Sequence, residues 1–166
     1  MKKSKLILIL FIISLGFSSC EKSLLETGDV EIVGRWSYSY TNGTNITTIV
    51  ASKDGGKIEN TRPDGTSGTL QLKLYFTSQK HDGGSINGYA MADSKLGELE
   101  AGHYFHNITF TDTEGYPPYG YYYVTLVLLE YDGEYYIKDY LNFDDKVHCH
   151  EVKKSKQKCP ETSYKK

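Results

Sequence analysis

Long apolar runs, sustained helical periodicity, cationic clusters and catalytic signatures are all scarce or missing in this sequence. After Leu6–Ile13 no segment is long and apolar enough to span a bilayer, which takes roughly 20 residues of helix. Apolar residues do not recur at three- and four-residue spacing over any long stretch, so a helix-rich fold is not expected. Residues 20–145 hold 9 Lys and Arg against 19 Asp and Glu, a balance of −10. Phosphate backbones are bound by clustered Lys and Arg that release counterions, so this acidic body argues against a nucleic-acid partner. G-x-S-x-G, H-E-x-x-H, Walker-type and dinucleotide glycine motifs are absent, and the sequence pairs no nucleophile with a base. An enzyme is therefore not expected and no cofactor is implied; only a site assembled from dispersed residues would change that.

What is present starts with a strongly patterned first segment. Lys2, Lys3 and Lys5 precede the apolar Leu6–Ile13, and small residues lead from Ser14 to Ser19. This is the layout of a signal peptide over residues 1–19, too short to span a membrane. The run Phe17-Ser18-Ser19-Cys20 resembles a bacterial lipobox, which implies cleavage before Cys20 and a diacylglyceryl thioether on its sulfur. With a further N-acyl chain such as palmitate, Cys20 would hold the chain in the membrane, because one chain alone binds only marginally. The expected location is the cell envelope, at the outer membrane or cell surface. An ordinary secretory peptide cut near Ser19 is the alternative.

Removing residues 1–19 leaves 147, enough for one domain with a real core. Residues 20–32 are polar and suit a tether, residues 33–145 form the expected domain, and residues 146–166 are a basic tail with 7 Lys against 2 Glu. With Cys20 assigned to lipid, Cys149 and Cys159 remain, and an exported compartment lets them pair as a disulfide.

The body has period two. Trp36, Tyr38 and Tyr40 alternate with serines, Asn42-Gly43 signals a turn, and Ile46, Thr48 and Val50 are expected to resume the apolar face. Residues 52–68 read as turns, with Asp54-Gly55-Gly56 and Pro63-Asp64-Gly65. Leu70, Leu72, Leu74 and Phe76 give the cleanest half-buried strand. A loop from Ser78 to Gly88 precedes a short strand at Tyr89–Ala92, and Tyr104, His106, Ile108 and Phe110 alternate again. The longest strand, Tyr121–Tyr131, turns at Asp132-Gly133 into Tyr135–Phe143, with Tyr122, Val124, Leu126 and Leu128 toward the core. About seven short strands of this kind predict an all-β sandwich or small barrel.

Gly120, Tyr122 and Val124 fall where an immunoglobulin-like domain carries its tyrosine corner. Together with Ser67–Leu72, Gly88–Ala92, Leu96–Leu99, Gly102–Phe105 and Pro117–Leu128, they resemble an Ig-like module of secreted bacterial proteins, similar to the cell-adhesion-related CARDB group. The resemblance spans about residues 33–145. It implies an Ig-like Greek-key β-sandwich of about seven strands with a binding or adhesion role. Gly34-Arg35-Trp36 is also similar to the opening of lipocalins, which implies the alternative of a barrel carrying a small apolar ligand.

Two clusters are candidates for function. Tyr119, Tyr121 and Tyr123 should stand on the outer sheet surface, where aromatic rings stack on sugars or anchor a protein partner; cross-strand aromatic packing is the plainer reading. His148-Cys149-His150 offers imidazole and thiolate suited to zinc or copper. No further ligand lies close in sequence, so His148 and His150 are expected to flank a disulfide cysteine and hold no metal. His103 and His106 should point to opposite faces of their strand and share no site.

Overall fold

Alternating Trp36, Tyr38 and Tyr40 with serine forces one face of their segment out of water. In the computed structural model all three aromatic side chains are buried. The structure describes residues 28–41, 46–113, 115–152, 156–158 and 164–165. The expected signal peptide, Cys20, most of the 20–32 tether, the Asn42-Gly43 turn and Cys159 lie outside them. The described residues contain strands and no helix.

In chain order the strands are β1 (Val30–Val33), β2 (Trp36–Thr41), β3 (Ile46–Ala51), β4 (Lys57–Asn60), β5 (Thr69–Thr77), β6 (Gly88–Gly97) and β7 (Tyr104–His106). They continue with β8 (Thr109–Asp112), β9 (Gly120–Asp132), β10 (Glu134–Asn142), β11 (Val147–Val152), β12 (Lys156–Lys158) and β13 (Tyr164–Lys165). All pairings are antiparallel. One sheet is ordered β13-β2-β3-β8 and continues through breaks in the same chains into β1-β4-β7. The other runs β12-β11-β9-β5-β6, with β10 on the same edge of β9 as β11 and further along it.

Three local distortions break the first layer. Gly34 has a φ of +76°, and a Cβ there would run into the Gly55 carbonyl, so only glycine lets the two chains pass this closely. Residues 52–56 loop out between β3 and β4, and Ser52 N–H donates to Arg35 O at 2.8 Å. Asn107 takes a φ of +54° between β7 and β8, and Ala51 N–H donates across to Ile108 O at 2.8 Å.

These features correct the expected strand faces. The register sets Trp36, Tyr38 and Tyr40 opposite Ala51, Ile49 and Thr47, and directly opposed residues share a face. The buried set on β3 is therefore Thr47, Ile49 and Ala51, while Ile46, Thr48 and Val50 are half-buried on the other side. Alternation from Tyr104 to Phe110 also fails, because Asn107 shifts the phase. Tyr104 and His106 are exposed, and Phe105, Ile108 and Phe110 pack against the core. Residues 52–68, read as turns, contain β4, which buries Ile58 and Asn60. Strands also run beyond residues 33–145: Val30 on β1 and Val147 and Cys149 on β11 are wholly buried.

A single apolar cluster joins the layers, with Trp36, Tyr38, Ile49 and Ile58 from one and Leu70, Leu72, Leu74, Phe76, Met91, Val124, Leu126 and Leu128 from the other. Burying each of the larger side chains stabilises the fold by about 1.5–3 kcal/mol. Aromatic contacts cross between layers, with Tyr38 edge-on to Phe143 at 4.8 Å and Tyr40 tilted against Phe76 at 6.4 Å. Between neighbouring layer edges, aspartates meet backbone amides in place of a ladder. Asp139 Oδ2 accepts from Ile32 N–H at 2.7 Å, and Asp112 Oδ2 accepts from Asp93 N–H at 3.1 Å. Satisfying edge amides this way blocks further strand addition there.

Candidate functional site

At the start of β9, Gly120 lets the chain fold a ring back over itself. A Cβ on Gly120 would sit 3.3–3.4 Å from the Tyr122 ring and hydroxyl. The Tyr122 hydroxyl donates to Pro118 O at 2.8 Å, the hydrogen bond of a tyrosine corner. Burial pushes the Tyr122 phenol up from its ordinary value, with Tyr89 adding to it. This anchoring fixes the Tyr116–Tyr119 segment against the strand and sets the direction in which β9 leaves.

The residues between are turned outward. Tyr119 and Tyr121 are about two-thirds exposed, and Tyr123 is half-buried. The structure brings Tyr119 and Tyr121 together through His148 of β11, and sets Tyr123 beside Lys146 just before it. His148 stacks on Tyr121 at 4.1 Å with rings 5° from parallel and meets Tyr119 edge-on at 5.4 Å. Lys146 Nζ lies 4.2 Å from the Tyr123 ring centre. The β9–β11 register, which pairs His148 with Tyr121, produces this arrangement. A plate of aromatic faces with a cation at its end can stack on flat apolar surfaces and donate hydrogen bonds from its rim.

His148 is thus engaged with the tyrosines, and the side chain of His150 lies outside the described residues. Among the described residues no three His, Cys, Asp or Glu side chains are grouped to hold a metal. His103 lies beside Ala101 O at 3.1 Å, whereas His106 meets the Tyr104 ring edge-on, so the two make separate contacts.

A second cluster sits at the opposite end of β9 and was not anticipated. Arg62 holds Glu130 through two nitrogens at 2.9 and 2.7 Å and reaches Asp29 at 2.7 Å. Lys138 lies 3.0 Å from Asp29 and 3.3 Å from Glu130, and Gly68 N–H donates to Glu130 at 2.8 Å. The Arg62 guanidinium, with the Gly68 amide, draws the Glu130 carboxyl down to about 2, outweighing the opposing effect of burial. Burial raises the Asp29 carboxyl, but Lys138, Val30 N–H and Arg62 leave it below its ordinary value. Lys138 is likewise pushed down by burial and held above its usual value by Asp29 and Glu130. Arg62, Gly68, Glu130 and Lys138 of this network line a pocket of about 350 Å³ together with Tyr131 and Tyr136. A readable signal existed: Glu130 continues the inward series Tyr122, Val124, Leu126, Leu128, and an acid on a core-facing position requires a cation.

No family model, curated protein or solved structure matches the chain.

Proposed function

We propose that this chain is a non-catalytic binding module held at the cell envelope by a lipidated Cys20, with an Ig-like Greek-key sandwich as its body. The pairing order supports the fold. If β1/β2, β3/β4 and β7/β8 each count as one interrupted strand and β10 ends the series, one layer runs first-second-fifth and the other fourth-third-sixth-seventh. That is the immunoglobulin order with the fourth strand moved to the edge of the second layer. The Tyr122–Pro118 hydrogen bond supports it independently. The packed interior around Trp36, Tyr38, Phe76 and Phe143 favours this reading over a lipocalin-like carrier, which needs space inside for its ligand.

One observation carries the binding role: every large apolar side chain exposed among the described residues is a tyrosine. Rings with hydroxyl rims suit a glycan or protein surface that presents both apolar faces and hydrogen-bonding groups. Wild-type chain should be retained on envelope preparations, and a Tyr119→Ser/Tyr121→Ser/Tyr123→Ser variant should elute early while unfolding at the wild-type temperature. Equal retention of the two refutes the patch. The anchor has its own check, since Cys20→Ser should abolish labelling by radioactive palmitate and move the protein to the soluble fraction.

A Cys149–Cys159 disulfide belongs to the same reading. In the β11–β12 hairpin His150 pairs with Lys158 and Glu151 with Gln157. Peptide mapping without reductant should recover the two cysteines in one linked fragment.

A further inference from the structure

We infer that the outer face of β5, β9 and β10 carries a second binding site, a groove for a sugar chain bearing carboxylates. Solvated sheet faces are ordinarily polar, but this one also carries Val127, Leu129 and Ile137. Register aligns Lys73, Val127 and Tyr140 in one row across the three strands and Gln71, Leu129 and Ile137 in the next. The loop after β5 covers part of this face, and the rest opens as a groove of about 670 Å³, within the range of ligand sites.

The groove is built in advance. Its outer wall is the segment around Gly83 and Gly84, both with positive φ. Side chains of the sheet hold the loop that carries this wall. Thr125 donates to Asn142 Oδ1 and Asn142 Nδ2 donates to His81 O, each at 2.8 Å, while His81 packs edge-on against Tyr140 at 4.5 Å. Thr77 Oγ1 donates to Gln79 O at 2.6 Å at the loop's start. A wall fixed this way loses little freedom when a ligand enters.

Lining chemistry selects the occupant. Tyr75, Tyr135, Tyr136 and Tyr140 line the groove with aromatic rings suited to the C–H faces of sugars, and the Tyr136 hydroxyl is already given to Glu134. Two lysines also line the groove. Lys138 is committed to Asp29 and Glu130, but no ion pair among the described residues engages Lys73. Asp93, opposite Lys73 in the register, takes the Gln71 amide. A half-buried lysine that lines the groove without an ion pair is favoured by an anion that replaces lost water, and a sugar carboxylate supplies one. The site is separate from the Tyr119–Tyr123 plate and stands independently of it.

The test is native affinity electrophoresis of the full chain through gels containing polygalacturonate, alginate, hyaluronate or neutral dextran. At least one carboxylated polymer should retard the protein and dextran should not. Lys73→Gln and Tyr135→Ser/Tyr136→Ser should each weaken the retarding interaction about tenfold or more, the scale of a lost charged hydrogen bond or aromatic contact. The Tyr119→Ser/Tyr121→Ser/Tyr123→Ser variant should bind these polymers as wild type does. All three variants should keep the wild-type thermal transition. Absence of retardation by all three acidic polymers, equal retardation by dextran, or groove variants that bind like wild type would overturn the site. Should only the Tyr119 set lose binding, the groove is overturned while the envelope-binding reading survives.

Discussion

Glu130 shows what a single residue does when an apolar series meets a charge. Its carboxylate is nearly buried, and Arg62, Lys138 and the Gly68 amide together satisfy it. Removing Glu130 leaves two partly buried cations, Arg62 and Lys138, to share the single carboxylate of Asp29. Glu130→Ala should therefore lower unfolding free energy by about 3 kcal/mol, measured by denaturant titration. Replacing both partners with apolar groups, Arg62→Met with Glu130→Leu, should recover much of that loss. The same pair predicts a pH dependence. A carboxyl lowered in the folded state to about 2 from 4.5 contributes stability that is complete above about pH 4.5 and lost as pH falls toward 2. Thermal midpoints measured from pH 7 to pH 2 should fall in that acid window, and Glu130→Gln should shrink the fall. Tyr122→Phe offers a milder comparison: losing the bond to Pro118 should cost about 1 kcal/mol and leave the ring packed.

The elements differ in how far the chain announces them. β5, β9 and β10 were legible nearly to their ends, because long alternation and the Asp132-Gly133 turn leave one solution. The burial of Thr125 and Val127 on the second face of β9 was not legible, since it depends on a loop some forty residues earlier crossing that face. Nor could the phase of β3 be read from its own residues, where apolar and threonine side chains occupy both faces and the partner strand decides. The first layer's breaks were hidden for a related reason: Gly34 and Asn107 look like ordinary residues until the crossing chains are known. Both can be tested through backbone strain. Gly34→Ala places a Cβ against the Gly55 carbonyl at positive φ and should cost about 2 kcal/mol or more. Asn107→Val should cost about 1–2 kcal/mol, whereas Asn107→Gly should be close to neutral, as thermal denaturation of the pair would record.

At the scale of the whole molecule, the basic composition of residues 146–166 suggests an appendage, and the sheets say otherwise. Charge describes what a segment shows to water, while membership of a core is set by its few inward side chains. Here those are Val147 and Cys149, both without exposed surface, on a strand that pairs with β9 beside the tyrosine corner. Further on, Tyr164 and Lys165 pair with Tyr38 and Ser37, which closes the outer edge of β2. The candidate aromatic plate depends on the same segment, because His148 joins Tyr119 to Tyr121 and Lys146 lies over Tyr123. A chain ending at Asp145 should consequently lose more than a tail. It removes Val147 and Cys149 from the core cluster and leaves the first three residues of β9 unpaired on that side. Two buried side chains and the lost ladder together approach the whole margin of a domain this size, about 5–15 kcal/mol. The truncated protein should show a broad, early unfolding transition or none, followed by circular dichroism against temperature. A chain ending at Lys158 should retain a cooperative transition. If instead the Asp145 truncation unfolds like the full chain, β11 adds nothing to the core and the plate is held by β9 alone.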